Sequence, residues 1–193
     1  MSFGLKMDVG NADIDVNVVW KWIEGYEGLY MISNGGCVKS FKGVNPNGRV
    51  LKPSANSNGG YLYVGLSKDT KRINKRIHRL VAETFLRDWD ESLDVDHIDR
   101  DPLNNHVDNL RMATQSQNHR NSISRGGSSS KYKNVYWNKQ SSKWRAKIKV
   151  NSRMKHIGCY INEEEAARAS DSAARALLSE EDLVYYRFNF QNV

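Results

Sequence analysis

The sequence predicts an α+β chain built from several small modules. Three observations carry that reading. The 193 residues are 39% hydrophobic with a mean hydropathy of −0.69, so two or three compact cores are favoured over one large one. Strict alternation and helical periodicity occur in separate short stretches, which marks strands and helices interleaved along the chain. A Ser/Gly-rich run from Ser122 to Ser130 is a flexible coil that parts the chain. The expected division is a loosely ordered lead at 1–18, a small N-terminal β module at 19–60, a central module at 61–122, a linker at 123–131 and a C-terminal module at 132–193. The last is expected to be a three-stranded antiparallel sheet packed on one helix.

The charge balance narrows the function classes. A formal net charge of +7 and a sequence pI of about 9.4 point to a polyanionic partner. The two cysteines, Cys37 and Cys159, allow neither a Cys-rich zinc site nor a disulfide framework and suit a reducing, intracellular setting. No stretch approaches the roughly 20 apolar residues needed to span a bilayer. The N-terminus lacks an apolar signal core. Neither a membrane partner nor secretion is expected.

Taken in order, Trp20 to Val38 is dense in aromatics. Tyr30-Met31-Ile32 reads as a short strand, Asn34-Gly35-Gly36 as a hairpin turn, and Val38 to Phe41 as the return strand. Trp20, Trp22 and Tyr26 are expected to pack as core, because aromatics dominate small cores. Residues 45–60 are rich in Asn, Gly, Pro and Ser and read as a loop. From Tyr61 to Ser67, Leu62, Val64 and Leu66 alternate against Tyr61, Tyr63 and Gly65, a half-buried strand. Lys68 to Lys75 reads as a basic turn. Arg76 to Leu86 is a helix whose Ile77, Leu80, Val81, Thr84 and Phe85 make one apolar stripe, with His78 as a structural histidine. Pro102 places Arg100 to Asn105 in a connecting loop. Thr114 as N-cap with Gln117 at the third helical position forms a capping box, so a helix runs to about Asn121.

The chemistry gathers at Val95-Asp96-His97-Ile98-Asp99 and the Asn-rich stretch after it, a D-H-x11-N-x8-N pattern with Asp96, His97, Asn109 and Asn118 at its fixed places. Asp96 offers a hard anionic oxygen of the kind Mg²⁺ or Mn²⁺ takes, and Asn118 a neutral amide oxygen. Two protein ligands suffice when waters and a substrate phosphate complete the shell. His97 beside them is poised to take a proton from water near neutral pH. Metal, base and phosphodiester together read as metal-assisted hydrolysis of nucleic acid. Strict alternation would send Asp96 and His97 to opposite faces, so the strand is expected to end or bulge there. His119 is a rival ligand, but it lies about 100° further round the helix.

These residues resemble the HNH nuclease motif, whose fold is a hairpin closed by a helix over one metal ion. The resemblance implies a ββα-metal (HNH) nuclease core at 61–122, with Asp96 as first ligand, His97 as general base, Asn109 bracing the hairpin and orienting that base, and Asn118 as second ligand. Phage homing endonucleases are the branch indicated, through the D-H start, the run Asn109-Leu110-Arg111 and the final Asn. Their nuclease-associated module resembles Trp20 to Val38, and their H-R-L-V-A segment matches His78 to Ala82. The family's paired Cys-x-x-Cys zinc staples have no counterpart here, so none is expected. The implied cofactor is one divalent cation, Mg²⁺ or Mn²⁺. Arg111, after the bracing Asn, is a candidate for a phosphate.

In the C-terminal module Lys143 to Val150 alternates cleanly. Trp144, Ala146, Ile148 and Val150 face one side, and Arg145, Lys147 and Lys149 the other, a cationic surface for a polyanion. Arg153 to Ile161 is the next strand. Asn162 and Glu165 read as a second capping box, opening a helix from Ala166 to about Leu178 that Ala166, Ala169, Ala173 and Ala176 let lie close to the sheet. Tyr132-Lys133-Asn134-Val135-Tyr136, Lys143 to Ile148, His156 to Tyr160, Glu164 to Ala169 and Phe188-Asn189-Phe190 together resemble the Apetala/ethylene-response-factor DNA-binding domain. That resemblance implies a sheet entering the major groove, with Lys133, Tyr136, Lys143, Arg145, Lys147, Lys149, Arg153, Lys155 and His156 as DNA-binding candidates. Lys133 and Tyr136 stand at arginine positions of that family and His156 at a tryptophan position, so its target sequence does not transfer. The expected partner is double-stranded DNA, gripped by a monomer that nicks one strand per active site. The competing expectation is a DNA-binding regulator whose nuclease motif is idle.

Overall fold

The computed structural model describes residues 17–55, 60–122 and 128–190. Most of the expected lead, and residues 123–127 of the expected linker, lie outside the described residues. The chain divides into two compact units. One holds the described residues up to Trp89 together with Pro102–Arg111; the other holds Asp90–Asp101 and the described residues from Met112 onwards.

The first unit contains two small antiparallel sheets and one helix. Strands β1 (Trp20–Trp22), β2 (Tyr30–Ser33), β3 (Val38–Ser40) and β4 (Arg49–Val50) form a sheet in that order, and β5 (Ser54–Ala55), β6 (Leu62–Lys68) and β7 (Lys71–Arg76) form another. Helix α1 (Ile77–Phe85) packs on β2 and β6. Of the alternating set predicted over Tyr61 to Ser67, Val64 and Leu66 are buried and Leu62 half-buried; Tyr30, Ile32 and Val38 are buried in the first sheet, and Ile77, Leu80 and Val81 in α1. His78 is also buried and lies against the Tyr61 ring, 4.4 Å between centroids. Trp22 departs from expectation. It belongs to an edge strand, is exposed, and lies against the Phe41 ring, 5.1 Å between centroids. Trp20 is half-buried beneath the Lys39 ammonium, 4.1 Å from its ring centroid.

Gly36 fixes the predicted hairpin turn. Its φ is +85°, and a Cβ there would meet Asn105 Cβ at 2.9 Å and Ile77 Cγ2 at 3.1 Å. Only glycine accepts both the conformation and the approach. The basic turn expected over Lys68–Lys75 is much shorter. Asp69 and Thr70 alone turn, with φ of 47° and 64°, as a two-residue hairpin requires. The chain then returns as β7, all six residues exposed. No buried alternation marks such a strand in sequence.

The second unit opens with β8 (Asp94–His97) and takes in the last two residues of β9 (Leu110–Ala113), whose first two belong to the first unit, and helix α2 (Gln115–Asn121). The predicted capping box is complete. Thr114 Oγ1 accepts from Gln117 N–H at 3.3 Å, and Gln117 Oε1 accepts from Thr114 N–H at 2.8 Å. A cap of this kind contributes about 1 kcal/mol.

The sheet β10 (Val135–Asn138), β11 (Lys143–Val150) and β12 (Arg153–Tyr160) follows, antiparallel in that order and packed on α3 (Glu163–Leu177). Asn162 Oδ1 accepts from Glu164 N–H at 2.7 Å and Glu165 N–H at 3.3 Å. The buried face of α3 is Ala166, Ala167, Ser170, Asp171 and Ala174. The expected face ran through Ala169, Ala173 and Ala176, but Ala176 is exposed. The stripe follows steps of four more than steps of three, which turns it round the helix. Buried Asp171 accepts from Asn189 N–H, Asn189 Nδ2 and Phe190 N–H at 2.9 to 3.1 Å. Asn189 in turn bonds Lys133 N–H and C=O, tying the C-terminal tail to the start of β10. A short helix not foreseen, α4 (Glu180–Val184), sits on α2: Asp182 pairs with Arg120 at 2.8 Å, and Glu181 accepts from Gln117 Nε2 at 3.2 Å. Among the described residues no helix is long and apolar enough to cross a membrane.

Candidate active site

Strand and helix register build the centre. On β8, residues two apart share a face, so Asp94 and Asp96 project together. On α2, residues three apart share a face, so Asn118 and Asn121 do as well. The two faces meet in steps. Asn118 Nδ2 donates to Asp94 Oδ2 at 3.4 Å. Asn121 Nδ2 donates to both carboxylate oxygens of Asp96 at 3.0 and 3.1 Å, and to the backbone carbonyls of His97 at 2.8 Å and Ile98 at 3.4 Å.

The amide that meets Asp96 is therefore Asn121, one helical turn beyond the sequence-predicted Asn118. Neither Asn121 nor Asp94 was singled out by the motif. The signal that finds them is the pair of periodicities, two along the strand and three along the helix, counted from Asp96 and Asn118. Asp96 is 4% exposed and His97 6%, so both sit at the base of the site. Asn118 is half-buried, and His119 is exposed on the outer side of α2. Asn109 belongs to the first unit. There its Nδ2 donates to the Asn104 carbonyl at 2.8 Å, bracing the loop that leads to β9. Arg111 is half-buried on β9 in the same unit.

The donor set fits a hard divalent cation such as Mg²⁺ or Mn²⁺. Asp96 supplies anionic oxygens, each of which accepts from the Asn121 amide. Asn118 commits its nitrogen to Asp94, which leaves its Oδ1 as a neutral oxygen donor on the same helix face.

The C-terminal sheet sorts the expected DNA-binding residues by register. Tyr136 pairs with Arg145, Arg145 with Cys159, Lys147 with His156 and Lys149 with Met154. Directly paired residues share a face, so Tyr136, Lys143, Arg145, Lys147, Lys149 and His156 form one surface. The Tyr136 ring lies between two cations, 5.9 Å from Arg145 Cζ and 4.4 Å from Lys147 Nζ. A register shift after Ala146 leaves Ile157 as the extra residue of a bulge. That residue packs into the core. Arg153 and Lys155 then pair with Val150 and Ile148 of the opposite face and do not join the cationic surface. Lys133 is not on it either. Its Nζ donates to the Arg120 carbonyl at the end of α2.

Comparison with known proteins matches two stretches of the chain. Residues 19–67 match the sequence profile of the NUMOD4 motif and residues 75–120 that of the HNH endonuclease. The chain is 44% identical over 107 residues to DNA endonuclease I-HmuI of Bacillus phage SP01, a match covering 55% of this chain and 59% of that one. It is 33% identical over 108 residues to H-N-H endonuclease F-TflII of Escherichia phage T5, covering 50% and 55% respectively. A solved structure of DNA binding and cleavage by the HNH homing endonuclease I-HmuI aligns with a TM-score of 0.48 at 42% identity, over 53% of this chain and 56% of that one. The chain thus spans a little over half the length of these relatives.

Proposed function

We propose that this chain, whose residues 75–120 match the HNH endonuclease profile, is a metal-dependent DNA endonuclease of homing type that hydrolyses one phosphodiester per active site. One observation carries the reading: the clasp of Asn121 on the Asp96 carboxylate and on the His97 backbone carbonyl, which ties the end of the strand that carries both motif residues to α2. In this reading Asp96 and the Asn118 Oδ1 would hold the divalent cation. When bound, that cation supplies charge stabilisation to the pentacovalent phosphate and the leaving 3′ oxygen. His97 takes the proton of the attacking water. Asn121 keeps the Asp96 carboxylate from turning and holds the backbone that carries His97. Asn109 stiffens the connecting loop. The surface of Lys143, Arg145, Lys147, Lys149 and His156 around Tyr136 grips duplex DNA, and the N-terminal module adds contacts. A monomer with one such centre nicks.

Supercoiled plasmid incubated with Mg²⁺ or Mn²⁺ tests this directly. Wild-type protein is expected to give open circles, chelator to abolish them, and His97→Ala to lower the rate by at least two orders of magnitude. A His97→Ala protein that nicks at the wild-type rate overturns the assignment. The low exposure of Asp96 and His97 favours a second reading, a DNA-binding regulator with an idle centre. That reading predicts binding to the plasmid with no nicking under either ion.

A further inference from the structure

The C-terminal end of α2 collects more positive charge than its neighbours neutralise. Arg187 N–H and Lys133 Nζ both donate to the Arg120 carbonyl. The next residue, Asn121, donates to the His97 carbonyl at 2.8 Å, and Arg100 N–H donates to that same carbonyl at 2.9 Å. Arg100, Arg120, Lys133 and Arg187 are thus brought together along one run of bonds that ends at the His97 carbonyl, Arg100 and Arg187 through their backbone N–H groups and Arg120 through its carbonyl, and the charges of Arg187, Arg120 and Arg100 all act on Lys133.

A helix C-terminus attracts cations in its own right, but that accounts for only part of the cluster. The helix end is satisfied by the Arg187 backbone and the Lys133 amine. The Arg120 guanidinium is spent on Asp182 at 2.8 Å. Asp171, the acid that acts on Lys133, already accepts from Asn189 and Phe190. The guanidinium groups of Arg100 and Arg187 have no carboxylate partner among the described residues, and the two repel each other. Burial first, then the charge of Arg100, holds Arg187 below its ordinary pKa. Lys133 is pushed down to about 8 by burial first and then by Arg187, Arg120 and Arg100. Arg100 is also held at a φ of 71°, a conformation that suits glycine and strains any other residue.

We propose that Arg100 and Arg187, backed by Lys133, clamp one backbone phosphate of the bound DNA strand next to the phosphate presented to His97. The clamp rests on the endonuclease reading and deepens it. Arg100 comes from the hairpin loop that follows His97, and Arg187 from the tail of the C-terminal module. Closing on a phosphate joins the module that grips DNA to the loop beside the base. Two planar guanidinium forks are the donor type that recognises a phosphate by paired hydrogen bonds, and the anion relieves the repulsion among all of the cations at once.

The test is duplex binding in chelator, where no cleavage occurs, read as affinity against salt concentration. Arg100→Gln and Arg187→Gln are each expected to weaken binding about tenfold and to lower the slope of log affinity against log salt by about one unit. The double variant is expected to lose about one unit in all, because both side chains hold the same phosphate. Arg187→Lys keeps the charge and is expected to keep the slope. Unchanged thermal midpoints separate lost binding from lost fold. Affinities and slopes equal to wild type in both single variants overturn the clamp while leaving the endonuclease reading intact, and a loss of two units in the double variant overturns the shared phosphate. Wild-type protein that binds no DNA overturns both.

Discussion

Asn121 spends one amide group on the Asp96 carboxylate and on the His97 carbonyl, in a place where water has little access. Removing it leaves a buried carboxylate short of one donor, at a cost of about 2 kcal/mol. Asn118 makes a single longer bond to Asp94 from a half-buried position, and its loss is expected to cost well under 1 kcal/mol. The pair can therefore separate bracing from ligation. Asn121→Ala is expected to lower both the denaturation midpoint and the nicking rate, whereas Asn118→Ala lowers the rate alone and raises the concentration of Mg²⁺ or Mn²⁺ needed for half-maximal nicking. Equal effects of the two variants on stability would remove the distinction. The motif spacing marked Asp96, His97, Asn109 and Asn118, because a fixed interval is visible in one dimension. Asn121 became visible only when strand and helix were set face to face.

At the level of elements, the end of α2 is the most loaded joint. The β10 lead and the tail after α4 both meet the Arg120 carbonyl, and Lys133 carries the electrostatic consequence. Its folded pKa of about 8 lies below the 10.5 of an unperturbed lysine. Between those values the unfolded chain binds more protons than the folded one, so folding stability rises with pH across that window. Below pH 8 the full penalty of the buried charge is present. Denaturation midpoints of wild type minus Lys133→Gln, taken at pH 7 and pH 9.5, are expected to favour the wild type at the higher pH. A difference that does not change with pH contradicts the burial of a charged amine. Periodicity made α1, α2, β11 and α3 legible, because each buries one regular face. It could not reveal β7, which buries nothing, or α4, which is only five residues long and is placed by Arg120 and Gln117 of another element. The bulge at Ile157 also lay beyond it, since one unpaired residue reverses the facing of every residue before it in β12.

Across the molecule, the net charge of +7 is concentrated in use more than in sequence. On the C-terminal sheet the register puts Lys143, Arg145, Lys147, Lys149 and His156 on one surface and assigns Arg153 and Lys155 to the other. Replacing Arg145, Lys147 and Lys149 together by Ala is expected to reduce the salt slope of duplex binding by two to three units, measured in chelator. The pair Arg153→Ala and Lys155→Ala is expected to change it by less than one. A reversed ranking would move the DNA to the opposite face. A different task falls to the four cations of β7, Lys71, Arg72, Lys75 and Arg76. That strand stands at the edge of its sheet with all six residues exposed. Such a border invites another copy to extend the ladder. Like charges along it make two approaching borders repel, so the N-terminal unit is expected to resist fibrous self-association even at high protein concentration.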